Sequence, residues 1–413
     1  MALPLALRAL EHRDFRLFWC GQLVSLIGTW MQSVGQAWLV LELTNSPFRL
    51  GLLSTLQFLP MLFFAVVAGA ITDRLPRRRL LVGTQLALLV QAFTLSALVW
   101  TGHVRYWHVA VLATLLGIVN TVDMPTRQSF IAEMVSRESL LNAIALNSAV
   151  FNAARVVGPA VAGLLVARYG VALAFFLNGL SFVAVVGALV MIKVEGMPRP
   201  RSGATMAADI QEGIVYALST PRVALVLALL LPVSLFVMNF NVLVPLFARD
   251  VLHEQAHGFG LLMAAMGTGS LAAAVAVAVA GRSRPRMRVI LVAAVVATLG
   301  TMAVAPVRRF PLATVVLFVI GAATIVFNTN ANSMLQMSVP DRLRGRMMSL
   351  YTLVFAGVTP FGSLLIGTVA EHLGVPAAFL TAGGAGFLLV VAVLVTWYLT
   401  GPHSLGHDRP PVL

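Results

Sequence analysis

The chain is 413 residues long and 59% hydrophobic, and it carries 28 Lys and Arg against 15 Asp and Glu, a formal net charge of +13. A water-soluble fold this apolar lacks the polar side chains to cover its surface. The basic residues are dispersed among short loops, which removes a nucleic-acid partner as the reason for the charge, and the single Cys20 leaves no intrachain disulfide and no Cys-based metal site.

In chain order, residues 1 to 16 form a short arm with too little apolar length before Glu11 for a secretory signal, so the first hydrophobic tract is expected to be retained. A bilayer core about 30 Å thick takes roughly 20 apolar residues per helix. Ten charge-free tracts reach that length: 17 to 41, 50 to 72, 80 to 104, 169 to 192, 223 to 248, 255 to 281, 289 to 307, 310 to 340, 347 to 370 and 372 to 407. Two more are implied, because residues 106 to 122 lead into Asp123 and residues 139 to 167 are interrupted only by Arg155. The expected fold is an all-α polytopic membrane protein of twelve transmembrane helices.

Span 1 carries Gln22, Ser25, Thr29, Gln32 and Gln36 at alternating spacings of three and four, which puts all five on one helical face. Hydrocarbon does not tolerate such a stripe, so it must face protein or water. Glu42 ends the span, either as a solvated interfacial carboxylate or as a proton carrier reachable from outside. Between spans 2 and 3 the chain reads GAITDRLPRRR, residues 69 to 79. There Gly69 permits close helix approach, Asp73 sits at a helix end able to accept hydrogen bonds, and Arg77 can reach a carboxylate on a neighbouring helix. Asp123 in span 4 is available to Arg77 or to Arg127 one turn on. Intramembrane charges are costly and functional as a rule, and Arg155 halfway along span 5 needs a carboxylate, polar neighbours or an anionic ligand. Around it runs ARVVGPAVAG, with Gly158, Pro159 and Gly163 suited either to simple helix packing or to a tight seal that opens as helices rock.

Residues 194 to 221 form the one long connection, with Met206, Ile210, Ile214 and Leu218 recurring every four as on a surface-lying amphipathic helix. This divides the chain into a six-helix bundle over 1–193, a linker over 194–221, a second bundle over 222–400 and a tail over 401–413. In the second bundle, span 7 offers Asn239 and Asn241, and span 10 offers Asn328, Asn332 and Gln336; cavity lining and interhelical hydrogen bonding are both open for these amides. With the N-terminus inside, the segments on that side hold twenty-one Lys and Arg, the opposite loops six, and Arg155 remains in the membrane. The positive-inside rule therefore puts both termini in the cytoplasm.

The halves are related. An offset of 204 superposes Gly158 on Gly362, Gly163 on Gly367, Gly170 on Gly374, Ala174 on Ala378 and Phe175 on Phe379. An offset near 209 aligns RLPRRR at 74 to 79 with SRPRMR at 283 to 288. Duplicated bundles favour alternating access between two pseudo-symmetric halves.

The 69–79 segment resembles the loop signature of the major facilitator superfamily, with Pro76 in place of its second Gly. ARVVGPAVAG is similar to that superfamily's antiporter motif, with Ala154 and Ala162 where two glycines stand. With FRLFWCGQLVSLIGTWMQSVGQAWLVLELTNSP and VDMPTRQSFIAEMV, these segments look like the branch of siderophore exporters and macrolide or multidrug efflux proteins. The resemblance implies a secondary transporter and not an enzyme: an exporter of amphipathic small molecules, monomeric, in the lipid bilayer of a bacterial inner membrane. It implies no cofactor, with a proton gradient as driving force. It further implies a gating latch of Gly69, Asp73, Arg74, Arg77, Asp123 and Arg127, with Asp123 as the acid that the signature Arg meets. Glu42 and Asp123 are then the proton candidates, and the span 1 stripe, with the amides of spans 7 and 10, lines a central cavity. An importer or facilitator, a lipid-handling protein and a sensor stand as alternatives. No Walker phosphate loop or GxSxG motif occurs.

Overall fold

A computed structural model describes residues 5–196, 206–279 and 285–400. In hydrocarbon each backbone N–H must find its acceptor within its own segment, so an apolar chain of this kind crosses as helices. The first six are α1 (Arg13–Thr44), α2 (Pro47–Arg74), α3 (Arg77–Trp100), α4 (Tyr106–Met134), α5 (Leu140–Tyr169) and α6 (Val171–Met191). After α7 (Met206–Ser219), span 7 is broken into α8 (Pro221–Pro232), a π-helical turn Val233–Val237, α9 (Phe240–Leu246) and a second π turn Phe247–Val251. Then come α10 (Ala256–Val279), α11 (Met287–Ala303) and α12 (Phe310–Ser338). Span 11 is split into α13 (Asp341–Gly357) and α14 (Thr359–Leu373), before α15 (Val375–Thr400). Prolines mark the breaks: Pro232 closes α8 and Pro360 sits in the first turn of α14, where its missing N–H costs nothing.

Ten helical segments are long and apolar enough to cross a membrane, and α11 is a shorter apolar helix. At 32 residues α1 has the length but not the hydropathy, because its amide stripe occupies a whole face. The tail 401–413, the linker stretch 197–205, Arg282 and Arg284 lie outside the described residues, as do the side chains of Met206, Ile210 and Asp73. On α7, Ile214 and Leu218 are exposed, as expected of an apolar stripe awaiting a membrane surface.

Helices α1, α5 and α6 pack together, α3 joins α4 and α6, and α2 lies on α4. In the second set α12 is flanked by α10 and α11, and α15 by α11 and α14. The sets meet along two seams, α5 on α10 and α2 on α14. Twelve crossings bring Leu5 and Thr400 to one face, here the basic face; the Thr44–Pro47 turn, Gly170 and Gly374 lie on the far face.

The sequence repeat has a physical counterpart at each glycine. Gly158 of α5 presses on Trp30 of α1, and its counterpart Gly362 of α14 presses on Leu235 of span 7. Gly163 and Gly367 instead face across the seams: a Cβ on Gly163 would lie 3.0 Å from the Gly260 Cα, and one on Gly367 would lie 3.0 Å from the Gly51 Cα. Gly170 and Gly374 begin the next helices at φ of 80° and 84°, a conformation that costs glycine nothing. Gly158 and Gly362 thus each fasten a helix within their own set, and Gly163 and Gly367 set how closely the two sets approach.

Candidate functional site

The two seams close the far face. Along α2 and α14, Gly51 and Gly367 let backbones touch. One turn deeper the Ser54 and Ser363 hydroxyls are 2.9 Å apart, and Ser363 donates to Asn239 Oδ1 at 2.8 Å. Thr55 Oγ1 reaches the Pro360 carbonyl at 2.8 Å. At the rim, Glu371 of α14 accepts from Ser46 Oγ at 2.9 Å and Phe48 N–H at 3.0 Å, so a carboxylate of the second set caps the first turn of α2. Between α1 and α10, Trp38 stacks on Phe259 with ring centroids 6.2 Å apart, and Arg249 donates to the Leu41 carbonyl at 3.3 Å. Small residues make such contact possible without apolar driving force from lipid.

The named contacts between the sets run from the far face to mid-span, ending near Leu62 against Gly357 and near the Arg155 carbonyl against Gly267. Beyond them toward the basic face, a Cβ on Gly69 would meet nothing within 4 Å. Among the described residues, the close helix approach expected at Gly69 is therefore absent from this conformation. Among the described residues, the contacts that join the two sets lie on the far face and at mid-span, so the protein is closed on the far face. Arg74 is exposed at the end of α2.

The pairing expected between Arg77 and Asp123 does not form. Arg77, at the start of α3, pairs with Glu133 near the end of α4, while its N–H donates to the Gly196 carbonyl at 3.0 Å. Asp123 is buried almost three turns deeper and is filled by other donors. Its Oδ1 accepts from Thr84 Oγ1 at 2.7 Å and Gln85 Nε2 at 2.8 Å, and its Oδ2 from Arg127 Nε at 3.1 Å. Arg127 also donates to Gln22 Oε1 of α1. The reason is reach: Glu133 and Arg77 lie at the same membrane depth, whereas Asp123 is almost three turns away along α4. Glu133 escaped the sequence reading because it stands in the last turn of α4 at the basic face, where a carboxylate needs no partner.

Gln22, Thr29 and Gln32 of the span 1 stripe bond inside their own set. Gln32 donates to Gln91 of α3 at 3.0 Å and accepts from Asn178 of α6 at 2.7 Å; Gln22, Ser25 and Gln36 are buried, and half-buried Thr29 donates to the Ser25 carbonyl of its own helix at 2.9 Å. The cavity-lining expectation is thus corrected for Gln22 and Gln32, whose amides face neighbouring helices. Gln91 and Asn178 were missed, although Thr84 and Gln91 repeat at seven on α3 and carry the same periodic signal as α1. In span 7, Asn239 caps α9 and donates to the Leu235 carbonyl at 2.6 Å, which places it in the far-face seam, while Asn241 is half-buried. On α12, Gln336 donates to Asn332 Oδ1 at 2.6 Å, and Asn328 keeps a buried Oδ1 with no partner. Glu42 is exposed at the far face and accepts from Trp38 Nε1 at 2.8 Å. Among the described residues no group of three or more metal-ligating side chains occurs.

Pro159 and Gly163 build the α5–α10 seam, since a Cβ on Gly260 would lie 2.6 Å from the Pro159 carbonyl oxygen. Arg155, one turn before, holds its guanidinium over Trp30 with 5.9 Å from Cζ to the ring centroid, and its Nε is buried without an acceptor.

Set beside known proteins, the chain matches over residues 5–406 the major facilitator family model described as transmembrane secretion effector. The chain belongs to this family. Among curated relatives of this major facilitator transporter, the multidrug efflux pump Tap of Mycolicibacterium fortuitum is 29% identical over 89% of this chain and 92% of its own. The staphyloferrin A transporter of Staphylococcus aureus is 22% identical and the macrolide efflux protein A of Streptococcus pyogenes 23%, both with the same coverage. Solved structures share the fold: a POT family transporter at TM-score 0.76 and 9% identity, over 94% of this chain and 97% of that one, and the nucleoside transporter NupG at 0.74 and 10%, over 93% and 99%. The protein is thus a multi-pass membrane transporter and not an enzyme, and the seams at α5–α10 and α2–α14 are contacts between the two sets of six spans of its facilitator fold.

Proposed function

We propose that this transporter is a proton-coupled exporter of amphipathic small molecules, drugs or siderophores, that works as a monomer in a bacterial inner membrane. The basic face is then cytoplasmic with both termini on it, and two bundles over 1–193 and 222–400 rock about a central path, joined by the 194–221 linker. The observation that carries this reading is the far-face seam, built from glycines that touch backbone to backbone while Gly69 stands free on the opposite side. In the opposite state, Gly69, Asp73 and Arg74 close on the second bundle, and the Arg77–Glu133 and Asp123–Arg127 pairs hold the loop that presents them. Relatives that move drugs, macrolides and a siderophore support the direction and the cargo class. Asp123, buried among donors, and Glu42, open to the far face, are the groups through which protons would act.

The test is uptake into inside-out vesicles of a radiolabelled macrolide and of staphyloferrin A, with and without an imposed pH gradient. Gradient-dependent accumulation of either is expected, and Asp73→Asn should lower it while expression holds. No response of either compound to the gradient would remove proton-coupled export, and unchanged accumulation in Asp73→Asn would remove the latch.

A further inference from the structure

Arg155 is the charge that nothing in the gating arrangement uses. It lies mid-span, where an unpaired guanidinium costs at least about 2.5 kcal/mol on insertion scales, yet among the described residues it makes no ion pair and no hydrogen bond. Its direction follows from helix geometry at about 100° per residue. Gly158, which packs on α1, is rotated to one side of Arg155, and Pro159 and Gly163, which pack on α10, are rotated to the other. Val157 and Leu164, roughly opposite, are 41% and 59% exposed, which marks the lipid face. Arg155 therefore points between α1 and α10, into the space between the two sets of spans. Phe151, one turn toward the basic face, meets Trp30 edge-on with centroids 6.0 Å apart and is itself 41% exposed. A cation held over an aromatic wall thus stands where the path from the basic face ends against the closed seam.

We propose that Arg155, with Trp30 and Phe151, is an oxyanion subsite of the transport path: it takes a carboxylate or similar oxyanion carried next to an apolar group of the cargo. A planar guanidinium suits this because it offers a bidentate fork to an oxyanion and remains charged at this depth. Trp30 holds it in place through the cation–π contact. The proposal rests on the transporter reading only in naming cargo as the occupant. The phosphate of an anionic lipid has the same chemistry, and the experiment separates the two.

Protein in nanodiscs of phosphatidylcholine would be dialysed to equilibrium against 2-naphthoate and, separately, against its neutral analogue 2-naphthylmethanol. Wild type should hold the carboxylate about tenfold more tightly or better, the size of a charge-assisted bidentate contact. Arg155→Gln should erase that preference and leave the alcohol unchanged, and Arg155→Lys should keep a reduced preference. Size-exclusion profiles and melting curves establish that the variants fold; if the Gln variant does not, a full preference in Arg155→Lys overturns the proposal. Equal binding of acid and alcohol by wild type, or a preference that survives Arg155→Gln, also overturns it. Loss of naphthoate binding as phosphatidylglycerol is added to wild-type discs, absent in Arg155→Gln, would assign the site to lipid and overturn the cargo assignment. No gradient enters this measurement, so its failure leaves proton-coupled export to be judged by the vesicle experiment.

Discussion

The contact at Gly163 allows a worked prediction about conformational balance. A Cβ placed there meets the Gly260 Cα at 3.0 Å and the Ala256 and His257 carbonyl oxygens at 3.1 Å. All three are backbone atoms of a long helix and cannot swing aside as a side-chain tip does. Gly163→Val therefore overpacks the α5–α10 seam, at a cost of about 1–3 kcal/mol. The cost falls only on the state in which that seam is shut, because α5 and α10 part when the far face opens. A differential of this size shifts the equilibrium toward the state open at the far face by roughly 5- to 150-fold. The assay is the rate at which an impermeant maleimide labels Ser54→Cys, which lies 8% exposed in the other seam, in a Cys20→Ser background. Gly187→Val is the control, since a Cβ there meets nothing within 4 Å. A labelling rate in Gly163→Val equal to that of Gly187→Val, with both proteins folded, would refute the argument that these glycines set the approach of the bundles.

Three further outcomes follow from the hydrogen bonds and ion pairs. Glu371→Gln removes the charge that caps α2 across the seam; as this is an exposed interaction, the same labelling rate should rise only about two- to fivefold. Glu133→Gln removes the carboxylate that pairs with buried Arg77, which should cost about 1–3 kcal/mol of stability and show as a fall in melting temperature. Replacing both by apolar residues, Arg77→Met with Glu133→Leu, should recover most of that loss, while failing in transport if the pair also holds the loop. Gln32→Leu strands Gln91 and Asn178 in the core of the first six spans at a cost of about 1–3 kcal/mol, read by thermal denaturation. The cargo concentration that half-saturates transport should be unchanged; a severalfold increase would return Gln32 to the cargo path.

The residues show how much a reading of the chain alone could reach. Charge-free tracts of spanning length fixed the helices, because hydrocarbon admits no alternative backbone. The offset of 204 found glycines that do the same task in both halves, because close backbone contact leaves no room for any other residue. The periodic amides of α1 were correctly placed on one face, but periodicity gives a direction on a helix and not the identity of what lies there. Whether Gln32 meets a cavity or Gln91 and Asn178 depends on how α1, α3 and α6 are rotated against one another. The same holds for Arg77, whose partner Glu133 was settled by relative depth across two helices rather than by spacing along either. The sequence by itself determined that the chain crosses the membrane as two related sets of helices. Only the tertiary structure decided which face is sealed, since that depends on contacts between residues such as Gly51 and Gly367, more than 300 positions apart.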